Sequence, residues 1–151
     1  MENSKNVIEA LNRALSLEWA GTIQYHQHSF VVHGLWREAY KPFFTSKASE
    51  CRGHAVLLGE KIAALGGLPT VEPAPMKQSR ELEEMLQQDL GLEKAAIDAY
   101  QEALKVAKDD VALRHMLESL IDTETRHLEE IEKLLSVKSV KMKDKEIRLR
   151  A

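Results

Sequence analysis

Apolar residues recur along most of the chain in alternating steps of three and four, which is the spacing of one buried face on an α-helix. Breaks rich in glycine, proline or aspartate separate four such stripes. We therefore predict four long helices at about 5–33, 36–65, 80–108 and 110–137. The stripe of the last helix reads Leu113, Leu117, Leu120, Glu124, His127, Ile131 and Leu134.

The connections between these helices predict the topology. The first and last links span only two or three residues, so each joins two antiparallel helices. The middle link, Gly66 to Ser79, contains three prolines and reaches ~43–46 Å when extended. A helix of ~27 residues is ~40 Å long. The middle link can therefore run the length of the bundle, which makes the fold class all-α, a four-helix bundle with one long crossover.

Composition and charge narrow the class of protein. A chain of 151 residues suits one domain, and we divide it into a bundle at 1–137 and a basic tail at 138–151. The net charge of −3 predicts no nucleic-acid partner and no membrane partner. Cys51 is the single cysteine, and no apolar signal segment opens the sequence. We therefore expect a cytoplasmic protein.

Polar residues interrupt the apolar stripes near the middle of the helices. Carboxylates are almost never fully buried unless they are paired. Mid-helix positions lie at one level of a bundle, so these side chains should converge, and Cys51 and His54 should join them from the second helix. A pair of divalent metal ions would neutralise the cluster, and its oxygen and nitrogen donors suit iron, manganese or zinc. The interrupting residues are Glu18, Glu93, Glu124 and His127.

The two halves of the sequence repeat the same spacing. Glu18 precedes His54 by 36 residues, and Glu93 precedes His127 by 34. A tyrosine follows each of these glutamates after seven residues, Tyr25 in the first half and Tyr100 in the second. This repetition predicts two similar helical hairpins that face each other across one site.

With these motifs the chain resembles the ferritin-like di-iron carboxylate proteins, and the bacterioferritin family in particular. The stretches LNRALSLEWAGTIQYHQHS, KIAALGGLP, EEMLQQDLGLEKAAI and ESLIDTETRHLEEIE carry the resemblance, which covers most of residues 6–135. It implies an iron site held by Glu18, one glutamate on the third helix and a Glu-x-x-His motif on each of the other two. It also implies Fe(II) oxidation and assembly into homodimers or larger homo-oligomers.

The second helix departs from the family pattern. Where Glu-x-x-His is expected, the sequence reads Cys51-Arg52-Gly53-His54. Glu50 is an alternative carboxylate, but the stripe passes through Cys51, so we expect Cys51 to point inward. A thiolate bridges two metals poorly, which predicts an asymmetric site whose better-occupied metal lies at Glu93, Glu124 and His127. Arg52 stands where the haem-ligating Met would fall, so we expect no haem.

Several of these residues have simpler interpretations. Cys51 can be a small apolar core residue rather than a ligand, and His54 can be an ordinary hydrogen-bonded histidine. Tyr25 and Tyr100 can be core tyrosines with satisfied hydroxyls. The three histidines of the first helix lie off its stripe, and we interpret them as surface or interface groups: His26, His28 and His33.

The favoured function is oxidation of Fe(II) by O2 or peroxide, with Tyr25 as an electron donor if it contacts the metals. The alternatives are a small dimetal oxidase or oxygenase with a non-iron substrate, and a non-catalytic metal-binding helical protein. Large apolar side chains off the core stripes predict at least a homodimer through the first two helices: Trp19, Phe30, Trp36 and Phe43.

Overall fold

Four long α-helices account for most of the computed structural model, which describes residues 2–136. They are α1 (Glu2–Val31), α2 (Arg37–Ala64), α3 (Leu82–Ala107) and α4 (Val111–Leu135), and a 3₁₀ turn (Gly34–Trp36) leads into α2. Every predicted helix is confirmed, with ends displaced by three residues or fewer. The all-α fold class is therefore correct.

The predicted stripes form the interior of the bundle. Below the mid-level, an apolar layer contains fully buried residues from all four helices, among them Leu11, Ile62 and Leu117. Above it, a second layer is built around Phe44 and Met85. The polar stripe residues lie between these two layers, so the fold surrounds them with apolar packing on both sides.

Each short link is closed by a local backbone device. Gly34 takes a φ of 77° at the turn between α1 and α2, a conformation that glycine adopts without strain. Asp110 precedes α4, and its side chain accepts a hydrogen bond from the backbone N–H of Leu113 at 3.0 Å. This N-cap holds the α3–α4 hairpin, as expected for an aspartate at that position.

The link between α2 and α3 runs back along α1, as its length predicted. Near the start of the link, Asn12 bonds to both Leu68 and Thr70, and further along Ala74 donates its N–H to the carbonyl of Ser16 at 2.8 Å. These bonds tie the link to successive turns of α1. The crossover therefore delivers α3 to the opposite end of the bundle from the end of α2.

Within residues 2–136, no helix is both long and apolar enough to cross a membrane. The basic tail at 138–151 lies outside this range, and its separation from the bundle stays a prediction.

Candidate metal centre

Residues from all four helices meet at the mid-level of the bundle. They form two groups of three ligand atoms, and within each group the atoms lie within 4.8 Å of one another. One group consists of Glu18, His54 and Glu124, and the other of Glu93, Glu124 and His127. Glu124 belongs to both groups, so it is the carboxylate that two metal ions would share.

The first half-site, defined here as Glu18, His54 and Tyr100, is built from α1, α2 and α3. The Nδ1 atom of His54 lies 2.8 Å from Oε1 of Glu124 and 3.5 Å from Oε1 of Glu18. The hydroxyl of Tyr100 donates a hydrogen bond to Oε1 of Glu18. His54 retains 16% exposure, whereas Glu18 is 2% exposed, so solvent approaches this half from the α2 side.

The second half-site, Glu93, His127 and Tyr25, repeats this arrangement. The Nδ1 atom of His127 lies 3.6 Å from Oε2 of Glu124 and 4.0 Å from Oε1 of Glu93. Tyr25 donates its hydroxyl to Oε1 of Glu93 at 2.6 Å. The imidazole rings of the two half-sites stack with centroids 6.5 Å apart and planes 14° from parallel. The internal repeat inferred from the sequence is thus present in three dimensions.

The electrostatics of the metal-free cluster are those of crowded buried carboxylates. Burial raises the pKa of Glu18 to about 7. Burial and a hydrogen bond shared with Glu124 raise the pKa of Glu93 well above its usual range. Burial opposes ionisation of Glu124 as well, but its close polar contacts with Glu93, His127 and His54 outweigh burial and lower its pKa. Burial would lower the pKa of His54, yet its two carboxylate partners raise it to about 10.

These shifts mean that protons occupy the charge positions that a metal ion would otherwise fill. The donor set also fits metal on geometric grounds. Nδ1 of His54 and Oε1 of Glu124 are buried and face each other, but neither makes a well-aligned hydrogen bond within the described residues. Buried polar atoms without a hydrogen-bond partner are rare unless an ion or water completes them. Oxygen and imidazole nitrogen donors suit iron, manganese and zinc.

Cys51 lies beside the site without joining either ligand group. It is 7% exposed, which confirms that it points inward. A Cβ built on Gly21 would lie 2.7 Å from its Sγ, so the thiol packs against the α1 backbone. Burial raises the pKa of the Cys51 thiol well above its usual range, and the charges of Glu18 and Glu93 raise it further. Without metal, Cys51 is therefore a neutral thiol, and its ligation stays a prediction.

Glu50, the alternative carboxylate of α2, contacts the second half-site from outside. Its Oε2 lies 2.5 Å from Nε2 of His127, on the opposite side of the ring from Glu124. Its side chain is 40% exposed, and Lys47 bridges it to Glu130 at 3.7 and 3.0 Å. A carboxylate on the far nitrogen of a ligating imidazole fixes the orientation of the ring. Glu50 is therefore placed to orient the His127 ring, and it does not join either ligand group.

One prediction about the histidines is wrong. His28 was expected to be a surface or interface group, but it is fully buried within its own chain, and its Nδ1 lies 3.0 Å from Oδ2 of Asp89. Gln24 donates to the other oxygen of Asp89 at 2.9 Å. Because α1 packs against both α2 and α3 and carries the crossover, it buries a wider face than one stripe. A signal was available, since Asp89 lies on the α3 stripe and a buried aspartate needs a partner.

Comparison with known proteins supplies the family context. A family model described as the ferritin-like domain matches residues 8–139. A solved structure of a ferritin-like, diiron-carboxylate protein from Bacillus anthracis strain Ames superposes with a TM-score of 0.86 at 37% identity, covering 89% of this chain and 99% of that one.

Two relatives widen this context. The bacterioferritin of Streptomyces coelicolor is 29% identical over 91% of this chain and 84% of its own length. A nutrient stress-induced DNA-binding protein from a Synechococcus strain is 29% identical over 82% of this chain and 77% of its own length. The expectation of no nucleic-acid partner therefore stays a prediction.

Proposed function

Because the chain belongs to the ferritin-like family, we propose that it oxidises Fe(II) at a dinuclear site at the mid-level of its bundle. Membership of the family implies iron storage or handling. The proposal of Fe(II) oxidation at a dinuclear site rests on the pair of three-ligand groups that share Glu124. Two ions held side by side by one carboxylate can each give one electron to the same oxidant.

The roles of the ligands follow from their places in the two groups. Glu18 and His54 would hold one iron, and Glu93 and His127 the other, with Glu124 between them. Carboxylates favour the higher charge of Fe(III), so binding to them favours oxidation. O2 or peroxide would be the electron acceptor. Cys51 stands on α2 three residues before His54, at the position that matches Glu124 before His127 on α4, and we propose that it contributes a weaker, soft ligand to the first half-site.

The surrounding side chains control protons and electrons. Tyr25 donates a hydrogen bond to Glu93 and is fully buried, so its phenol lies one hydrogen bond from a metal ligand. We assign it as an electron donor to the second half-site. The apolar layers on both sides exclude bulk water and direct exchange toward the histidines on the α2–α4 face, which are 16% and 12% exposed.

The test measures iron binding and oxidation together. Metal-free protein is titrated anaerobically with Fe(II), and O2 is then added in a stopped-flow instrument. We expect two Fe(II) per chain to bind and to be oxidised. Glu124→Gln should lose the second equivalent and lower the oxidation rate by at least ~100-fold, since even outer partners of ligands are worth ~10–100-fold. Glu129→Gln, an exposed change on the same helix, is the matched control and should behave as the wild type.

The outcomes separate the proposal from its alternatives. Tight Fe(II) binding without oxidation would favour a non-catalytic metal-binding protein. Oxidation that needs an added organic substrate would favour an oxidase or oxygenase. Preferential binding of zinc or manganese over iron in a competition titration would make iron the wrong metal. A stoichiometric haem absorption band after reconstitution would contradict the expectation, based on Arg52, that no haem is bound.

We also propose that the chain acts as a homodimer or larger homo-oligomer in the cytoplasm. Phe30 and Trp36 are 70% and 61% exposed at the α1–α2 end of the bundle, which supports an interface there. Trp19 and Phe43 contribute less, because both pack against the core of their own chain. Light scattering should give at least twice the chain mass of 17.1 kDa, and a monomer at micromolar concentration would contradict the proposal.

A further inference from the structure

Tyr100 occupies the same place in the first half-site that Tyr25 occupies in the second. Each tyrosine is fully buried, and each follows the glutamate of its own helix by seven residues. Each hydroxyl crosses the bundle to donate to the glutamate of the opposite hairpin, Tyr100 to Glu18 and Tyr25 to Glu93. The two phenols are therefore equivalent in their hydrogen bonds.

The hydrogen bonds make Tyr100 more than a space-filling core residue. A phenylalanine would fill the same apolar volume without placing a polar atom in a dry layer. The acceptor is one of the three members of the first ligand group, so the phenol oxygen is one hydrogen bond from a metal-binding oxygen. An electron can leave the ring only if the phenolic proton has an acceptor, and Glu18 is in position to take it.

We propose that Tyr100 is a second one-electron donor, which serves the first half-site as Tyr25 serves the second. The inference rests on the proposed Fe(II) oxidation and deepens it. The protein then stores two electrons beside two irons, one phenol for each iron. This arrangement matches the four electrons that convert one O2 into two waters.

The electrons and protons balance for the reduction of one O2 to two water molecules. Two Fe(II) become two Fe(III), and two phenols become two neutral tyrosyl radicals, which together supply four electrons to one O2. The O–O bond breaks and four O–H bonds form in two water molecules. Two of the protons come from the phenolic O–H bonds, by way of Glu18 and Glu93, and two come from solvent.

With no phenol available, only the two irons are oxidised. The O–O bond then stays intact, and one O2 takes up two electrons and two solvent protons to give one hydrogen peroxide. The peroxide yield therefore reports whether phenols supply electrons, independently of the oxidation rate.

The experiment compares four variants of the full-length protein: Tyr25→Phe, Tyr100→Phe, the double variant and Tyr40→Phe. Tyr40 lies near the end of the bundle against Phe43 and Phe44, away from the ligands, and is the matched control. Metal-free protein receives two Fe(II) per chain, is mixed with O2 and is freeze-quenched. Electron paramagnetic resonance counts tyrosyl radicals, and a peroxidase-coupled assay measures hydrogen peroxide.

We expect Tyr25→Phe and Tyr100→Phe, each given a third Fe(II) per chain to supply the fourth electron, to keep roughly half of the wild-type radical. The double variant should have none and should release one hydrogen peroxide for every two Fe(II). Tyr40→Phe should match the wild type in both measurements. Circular dichroism melting of each variant verifies that the bundle is folded.

Three results would overturn the role of Tyr100. Tyr25→Phe could abolish the radical, Tyr100→Phe could leave its full yield, or the wild type could oxidise Fe(II) without any radical. In each of these cases Fe(II) oxidation by the wild type still stands. If the wild type binds Fe(II) and does not oxidise it, the proposed function itself fails, and the two failures are thus distinguished.

Discussion

The two half-sites have the same plan and different surroundings. Each has a glutamate, a histidine and a tyrosine at matching positions, and the difference begins three residues before each histidine. There α4 supplies Glu124, an ionised carboxylate shared by both ligand groups, whereas α2 supplies Cys51, a buried neutral thiol. The two hairpins therefore differ in chemistry at the position three residues before the histidine.

The packing around the two halves differs in the same direction. Four residues before Glu93 on α3 stands Asp89, paired with His28, while the matching position before Glu18 is Ala14. The second half-site also has Glu50 behind its histidine. The second half-site thus has more carboxylates and more fixed hydrogen bonds around it, and we expect it to hold its metal more tightly.

The largest effect should come from the Asp89–His28 pair, which flanks only the second half-site. Asp89→Ala leaves His28 and Gln24 buried without their acceptor, and breaking such a buried pair costs about 3–5 kcal/mol. Chemical denaturation should show that loss in the free energy of unfolding. Asp98→Ala, an exposed change on the same helix, should cost less than ~0.5 kcal/mol. If the two variants were equally stable, the pair would not contribute to folding.

The next largest effect should come from removing one glutamate ligand from each half-site, which compares their metal affinities directly. Glu93→Gln should remove the tighter metal and Glu18→Gln the weaker one, each weakening its own half-site by ~100-fold or more. Calorimetric titration with Fe(II) under anaerobic conditions should therefore leave one tight ion in Glu18→Gln and one weak ion in Glu93→Gln. Equal residual affinities would show that the two halves are equivalent despite Cys51.

A third prediction concerns the stability of the metal-free protein against pH. Folding raises the pKa of Glu18 from 4.5 to about 7 and the pKa of His54 from 6.5 to about 10. Folding therefore favours the protonated form of both side chains. Their contribution is present at low pH and is lost as pH rises, across 4.5–7 for Glu18 and 6.5–10 for His54. We expect a loss on the order of 1–3 kcal/mol between neutral pH and the pKa of His54.

Bound metal should weaken this dependence, because it displaces the same protons. Melting curves of metal-free and metal-loaded protein, recorded over that range, test the prediction. The metal-free protein should lose melting temperature as pH rises, and the loaded protein should lose less. A melting temperature that rises with pH in the metal-free protein would contradict the sign of both pKa shifts.

The sequence predicted the fold and most of the side chains that meet at the mid-level of the bundle for a simple physical reason. Residues such as Glu18 and Glu93 stand out because a charge on an apolar stripe has few structural explanations. The long crossover was predicted from the number of residues in the link between α2 and α3. His28 and Glu50 were harder, because their roles depend on how far α1 is covered and on which way a half-exposed side chain turns. Those properties arise from tertiary packing, which one-dimensional spacing does not contain.

We expect the smallest effect from Cys51→Glu, the substitution that tests why the two half-sites differ in metal affinity. A second inward carboxylate would restore the symmetry of Glu124 about the two metals, with two hard oxygens in place of one soft sulfur. Gly21 faces position 51 without a Cβ, which keeps space on the α1 side of this residue. Stopped-flow oxidation should accelerate several-fold, and the two Fe(II) affinities should draw together. Cys51→Ser, of similar volume, is the matched control and should not accelerate oxidation. If the wild type oxidises two Fe(II) per chain as fast as Cys51→Glu, the thiol is an apolar core residue, and the inequality of the half-sites must come from Asp89 and Glu50.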